Sequence, residues 1–411
     1  MKQISLLGKV IPIAPLFLII LGAMLWPEME LISPSLPAIK MFFNVSDAMV
    51  QNLLSANFCG FFIGVLFAGP LCDSIGRKKT CIIGGLLFLL TSLITCFCSN
   101  FYLLILLRFL QGFFVTAPII ASCIMLLEVT KDKNQVLWLS LSSACITLCM
   151  AIAPLIGSFI NVNFGFFGNL RAIFIAAFIG IIPIIFFVQE TLPVKEQKSI
   201  KFKHIFKDYY ALLTNYKFMG MSLVISSLPA AYWIYTGISS LYMIDYLGVE
   251  EKYFGFYQGP IVASFAFFSI TINYFYKKIG LFYCVIIGFL SMFIGSFSLL
   301  ITSLNSVEHP LLITILMMFF VGGMVPANSL IFTSVLNQVP TNLQGSAQSI
   351  IQALRLFLAS IGTIALGLFY NGPFLSISIL MFIMLIFSGF LLFKLRNNIQ
   401  TNSAQQLNTS H

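Results

Sequence analysis

The sequence predicts an all-α membrane protein with twelve transmembrane helices in two six-helix, pseudo-symmetric halves. Three observations predict it. The 411 residues are 59% hydrophobic and 9% charged, where an ordinary soluble domain carries roughly 25% charged residues. Apolar runs of about 20 residues, long enough to cross a bilayer as helix, recur along the chain with short polar breaks. The basic residues gather on alternate breaks. Period-two alternation is absent, which argues against a β-barrel.

Segment 1, about 11–37, is too long for a signal-peptide core and lacks a small-residue cleavage site, so it is read as a retained helix. Its end, "WPEMELISPSLPAIK", places Glu28 and Glu30 in apolar surroundings, where an ionised side chain costs several kcal/mol unless it finds a partner or a proton. Two residues apart is about 200° around a helix, so both cannot face one side.

Segments 2 and 3, about 51–71 and 80–98, are joined by the turn "GPLCDSIGRKKT". Segment 4, about 101–127, carries "RFLQG". Arg108 inside it needs a carboxylate, backbone oxygens or water, and Gln111, three residues on, shares its face. Arg108 lies about 10 Å in from the outer end of segment 4 and Glu30 about 15 Å below Lys40, so the two sit at similar depth. Only one of the two carboxylates can then face the cavity at Arg108, and Arg355 is a partner to consider for the other. Segment 5, about 136–160, carries "AIAPLIG", small residues around Pro154 that suit a kinked, closely packed helix.

Segment 6, about 171–189, leads into the longest polar stretch, "ETLPVKEQKSIKFKHIFKDYYALLTNYK" at 190–217. It is rich in Lys and reads as a cytoplasmic linker with an amphipathic segment on the membrane surface. The expected organisation is a first half over 1–190, a linker over 191–216, a second half over 217–395 and a polar tail over 396–411.

The second half holds segments at about 217–243, 253–276, 280–303, 310–334, 345–370 and 373–394. The loop "NYFYKKI" after segment 8 repeats the two basic residues found after segment 2, at an offset of about 200, as parallel repeats would. In segments 7 and 8, Tyr232, Trp233, Tyr235, Tyr257 and Gln258 are placed either to line a pocket for a flat amphipathic compound or simply to pack. In segment 11, Gln348, Gln352 and Arg355 form a polar stripe at i, i+4, i+7. It reads equally as a substrate or counter-charge site and as a structural ion pair with Glu28 or Glu30.

With the N-terminus in the cytoplasm, only Lys40, Arg171 and Lys252 among the loop cations fall outside, so both termini are expected to be cytoplasmic. The net charge of +9 is then a topology signal, and no nucleic-acid partner is expected. The nine cysteines form no CxxC pair and the three histidines lie in loops or the tail, so no metal or haem site is expected. A nucleotide-binding P-loop is absent, which excludes ATP-driven pumping by this chain alone and leaves no basis for an enzyme.

The spacing of Gly69, Asp73, Gly76 and Arg77 resembles the G-x-L-x-D-x-x-G-R-K loop of the major facilitator superfamily. The resemblance implies the major facilitator fold and a conformational latch, in which Asp73 pairs with Arg77 and an acidic residue ending segment 4 joins them; Glu128 stands at that place. Arg108 and Gln111 resemble the R-x-x-Q-G motif of its proton-coupled members. Pro154 and Gly157 resemble its antiporter motif, with Ala153 where the family has glycine. "ELISPSLPAI" resembles the D-x-x-x-P-x-L-P-x-I segment of the Bcr/CflA-type drug:proton antiporters, Glu30 standing for the aspartate, and "RAIF" and "ETLP" agree.

That resemblance implies a multi-pass protein of the bacterial inner membrane exporting amphipathic small molecules or drugs by proton antiport with alternating access. It implies a monomer whose partners are a small-molecule substrate, protons and the lipid bilayer. No cofactor is implied beyond the proton as coupling ion, which Glu30 and Arg108 would handle, Glu30 facing the cavity because it alone falls on the family position and Glu28 pointing elsewhere. Export of a native metabolite such as a siderophore, or nutrient uptake by symport, are the alternatives.

Overall fold

Proline decides the shape of the first span. In the computed structural model, which describes residues 3–6, 9–130, 135–193, 202–337, 339–340, 343–370 and 373–394, the first described elements are two short strands. There β1 (Gln3–Leu6) pairs antiparallel with β2 (Lys9–Pro12), Ile4 opposite Ile11. Helix α1 (Ile13–Leu25) stops before Pro27, whose ring clashes with the preceding turn and which has no N–H to donate. The helix resumes at once as α2 (Glu28–Ile32), with Leu31 N donating to Pro27 O at 2.9 Å. A tight turn at Ser33–Ser35, containing Pro34, leads into α3 (Leu36–Phe43). Asn44, left-handed at φ 51°, ends it. The expected single helix over 11–37 is thus three pieces reaching residue 43.

Ser46 caps α4 (Asp47–Ile75), its hydroxyl accepting from Met49 N at 3.3 Å. Gly76, at φ 107°, turns the chain into α5 (Arg77–Thr95). Asn100 caps α6 (Phe101–Val129), accepting from Leu103 N at 3.0 Å. Helix α7 (Gln135–Phe187) is two crossings turned at Gly165, and α10 (Glu251–Leu304) is likewise turned at Gly280. Among the described residues eleven stretches are long and apolar enough to cross a membrane, and one of them, Leu137–Phe187, holds two crossings, so the twelve expected segments are present. Large apolar side chains stay exposed along them, as at Ile83, Leu86, Leu90 and Ile94 on one face of α5, an exterior suited to lipid.

The chain divides into two compact units, Met1–Lys201 with Glu250–Gly259, and Phe202–Val249 with Pro260–His411. Glu250–Gly259 joins the first unit because it nests on α7. A Cβ at Gly255 would lie 2.5 Å from Leu155 Cα, and Gly255 N donates to Ser158 Oγ at 3.2 Å.

Within the first unit the close approach that shapes the site is between α4 and α6. A Cβ on Gly112, the glycine of "RFLQG", would stand 2.0 Å from Asn57 O, so only glycine lets the two backbones touch there.

In the second unit α9 (Tyr216–Ser240) is the buried centre, flanked by α13 (Gln344–Phe369) and α14 (Leu375–Lys394). Ser226 Oγ donates to Ile351 O at 3.0 Å, and the Ser227 and Ser388 hydroxyls meet at 2.6 Å. Helix α8 (Phe202–Leu213) lies in the expected linker, with Leu212 buried and Tyr210 and Leu213 exposed. The unit also holds α11 (Pro310–Pro326), a wide turn at Ala327–Ile331 and α12 (Phe332–Asn337). The tail at 396–411 lies outside the described residues.

Candidate functional site

The contact at Gly112 brings α4 and α6 together next to the break in the first span, and a cluster of buried polar side chains fills that junction. Arg108, Gln111, Asn57 and Glu30 are fully buried, and Glu28 nearly so. Arg108 comes from α6, one turn before Gly112; Asn57 comes from α4; Glu28 and Met29 begin α2.

Arg108 Nη1 donates to Gln111 Oε1 at 3.0 Å, and Gln111 Nε2 donates in turn to Ser92 Oγ on α5 at 3.0 Å. Arg108 Nη2 lies 3.2 Å from Met29 Sδ. Glu28 Oε2 stands 3.9 Å from Arg108 Nη1, while Glu28 Oε1 accepts from Asn57 Nδ2 at 3.0 Å. A guanidinium and a carboxylate face each other away from water, yet their hydrogen bonds go to neutral groups.

Sequence reasoning turns Glu28 away from Arg108; the structure corrects this and sets Glu28 against it. The 200° rule is sound, but it leaves open which way α2 is rotated. Packing on α7 settles the rotation: Leu31 O sits where a Cβ on Gly157 would come within 2.3 Å, and Pro34 Cγ lies 3.1 Å from the same point. Gly157, singled out in the antiporter-like motif of segment 5, is therefore the seat of the broken first span. Beyond it, Asn169 Nδ2 donates to Ser35 Oγ at 2.6 Å and to Gly157 O at 2.9 Å. Ser35 Oγ donates to Asn161 Oδ1 at 2.9 Å, and Asn161 Nδ2 donates to Glu251 Oε2 at 2.8 Å. These amides pin the Ser33–Ser35 turn, a role the sequence did not reveal.

The loop from Gly69 to Arg77 forms a second cluster. Arg77 Nη2 lies 3.2 Å from Asp73 Oδ1 and 3.3 Å from Glu128 Oε1, and Thr191 Oγ1 donates to Glu128 Oε2. Glu190 caps α5: its Oε1 accepts from Arg77 N at 2.8 Å and its Oε2 from Lys78 N at 3.1 Å. An anion at a helix N-terminus satisfies free N–H groups and the helix dipole. A Cβ at Gly76 would lie 2.4 Å from Glu190 Oε2, so glycine is required there by φ and by space. Nothing in contrast crowds Gly69. Sequence reasoning has the string "ETLP" in hand without assigning Glu190 and Thr191 to this cluster, because partners 113 positions apart, as Glu190 and Arg77, or 63 apart, as Thr191 and Glu128, meet only in the fold.

In the second unit Arg355 Nη2 donates to Asn328 Oδ1 at 2.7 Å, in the wide turn after Pro326. The Tyr232 and Trp233 rings are 5.5 Å apart, and buried Tyr235 packs edge-on against Phe374 at 6.0 Å. Gln348 is exposed and Gln352 half-buried. Tyr257, half-buried, and Gln258, buried, belong to the first unit instead.

Comparison with known proteins follows this geometry. The sequence profile described as Major Facilitator Superfamily matches residues 17–363. A bicyclomycin resistance protein homologue of Haemophilus influenzae is 27% identical, covering 84% of this chain and 87% of that protein. The chloramphenicol resistance protein CraA of Acinetobacter baumannii is 22% identical, covering 70% of this chain and 69% of its own length. Among solved structures, a D-xylose-proton symporter superposes with a TM-score of 0.72 at 15% identity, over 91% of this chain and 96% of that one; at this identity the likeness concerns the fold.

Proposed function

This chain belongs to the major facilitator superfamily, and we propose that it is a proton-coupled exporter of amphipathic small molecules, drugs among them, working by antiport with alternating access in the bacterial cell membrane. The observation that carries the reading is the fully buried Arg108 beside a carboxylate in the broken first span. A fixed charge held inside an apolar bundle is costly, and in membrane proteins it marks a coupling or substrate path. The relatives named for bicyclomycin and chloramphenicol resistance support export as the direction.

The chemistry is a competition. A carboxyl shielded from water holds its proton until a cation takes the proton's place, so proton and substrate exclude each other, and that exclusion is antiport. Glu30 stands where the resemblance puts the coupling acid, and Arg108, set against Glu28, is the fixed cation of the same buried junction. The cluster of Asp73, Arg77, Glu128 and Thr191 biases the balance between two states of the transporter.

The test is transport in proteoliposomes under an imposed pH gradient, with chloramphenicol and the dye ethidium as probes. Antiport gives probe movement opposite to the proton gradient that collapses with the gradient. Probe movement along the proton gradient would establish symport instead, and no dependence on the gradient would overturn the reading.

A further inference from the structure

Two carboxylates sit two residues apart in the first span, and the geometry distinguishes them. Glu28 has its two oxygens in different situations. Oε1 is held by the Asn57 amide at 3.0 Å. Oε2 is buried and accepts no hydrogen bond, although Arg108 Nη1 is 3.9 Å away.

In a dry site a permanently ionised carboxylate and a guanidinium close to hydrogen-bond contact, about 2.8 Å, usually with two bonds in parallel. Here Arg108 gives Nη1 to Gln111, brings Nη2 to the Met29 thioether and leaves Nε buried without a partner. The Gln111 to Ser92 hydrogen bond holds that arrangement from behind. The arginine is close enough to favour a charged Glu28 and restrained from locking it. A proton added at Oε2 breaks no existing bond, because Asn57 still donates to Oε1.

We infer that Glu28 is itself a proton-binding residue of the transport cycle, with Oε2 as the proton site, Asn57 as its positioning residue and Arg108 as the counter-charge for the deprotonated form. The inference rests on the proposed proton coupling and assigns it a second carboxylate besides Glu30. The step moves a proton only: Oε2 takes it from water admitted on one side of the membrane and returns it to water on the other. The charged or titratable groups concerned are few. Arg108 comes from α6 and Glu30 from the same short helix, while α4 presents the neutral Asn57 and α7 presents Gly157.

The experiment is an infrared pH titration of the full reconstituted chain, following the C=O band of protonated carboxyls in wild type, Glu28→Gln, Glu30→Gln and Asn57→Leu. One component of the wild-type band should be missing in Glu28→Gln, persist in Glu30→Gln, and titrate at a displaced pH in Asn57→Leu. A Glu28→Gln spectrum superimposable on wild type overturns the inference. If Glu28→Gln loses its helical circular dichroism, Asn57→Leu decides: an unmoved titration of every component overturns it. The transport assay separates the two claims. Gradient-driven flux with no Glu28 component leaves the export reading standing and sinks this one, and a Glu28 component without flux does the reverse.

Discussion

Glu28 faces Arg108 across 3.9 Å with neither hydrogen-bonded to the other, the carboxylate held by Asn57 and the guanidinium by Gln111. Such a pair is poised between two states. Its geometry depends on a glycine contact at one end and a proline break at the other, and each part can be perturbed separately.

Replacing Glu30 by Gln keeps shape and removes a charge. Gradient-driven efflux of chloramphenicol or ethidium should be abolished while expression and thermal stability stay at wild-type level. Normal dye efflux by this variant would remove Glu30 from the coupling mechanism.

Arg108→Lys keeps the charge but not the planar fork that reaches Gln111 and Met29 together. Transport should fall at least tenfold, with the variant still folded. Full activity of the lysine form would mean that a buried point charge is enough.

Gly112→Ala puts a methyl 2.0 Å from Asn57 O, where backbone must give way. The expected cost is roughly 1–3 kcal/mol, as for other overpacked interiors, read as a lower Tm in detergent. An unchanged Tm would show that α4 and α6 part more easily than their contact suggests.

Asp73→Asn weakens one arm of the Arg77 bridge and leaves Glu128 in place. The bridge is partly exposed, so stability should change by less than about 1 kcal/mol while transport falls several-fold. Unaltered transport kinetics and unaltered labelling of a cytoplasmic-side cysteine would count against a switching role.

Glu190→Ala removes the carboxylate that caps α5. A loss of about 1 kcal/mol is expected, the usual cost of an N-terminal cap. Glu190→Asp, a shorter acid, should recover part of it, and equal loss in both would assign the effect to packing alone.

The twelve spans were legible because each must satisfy its backbone within itself in lipid, which forces long apolar runs that any reader can see. Asp73 and Arg77 were legible as a spacing and Glu128 only through the family resemblance; in the fold Arg77 lies within 3.3 Å of both acids. Glu28 was misplaced for a specific reason: a helical wheel gives the angle between two side chains and not the rotation of the helix as a whole. Glu190 and Thr191 stood out only as part of the string "ETLP", without a partner, and Asn161 and Asn169 gave no local signal, since single polar residues near helix ends are common.

By itself, then, the sequence determined a membrane-spanning helical chain, its number of crossings, and the presence of an arginine and two carboxylates inside it. Tertiary structure alone decided which carboxylate meets that arginine. The deciding contacts, Leu31 O on Gly157 and Asn57 O on Gly112, are between backbones remote in sequence, and such packing leaves in the sequence only a glycine, whose partner is chosen by the fold.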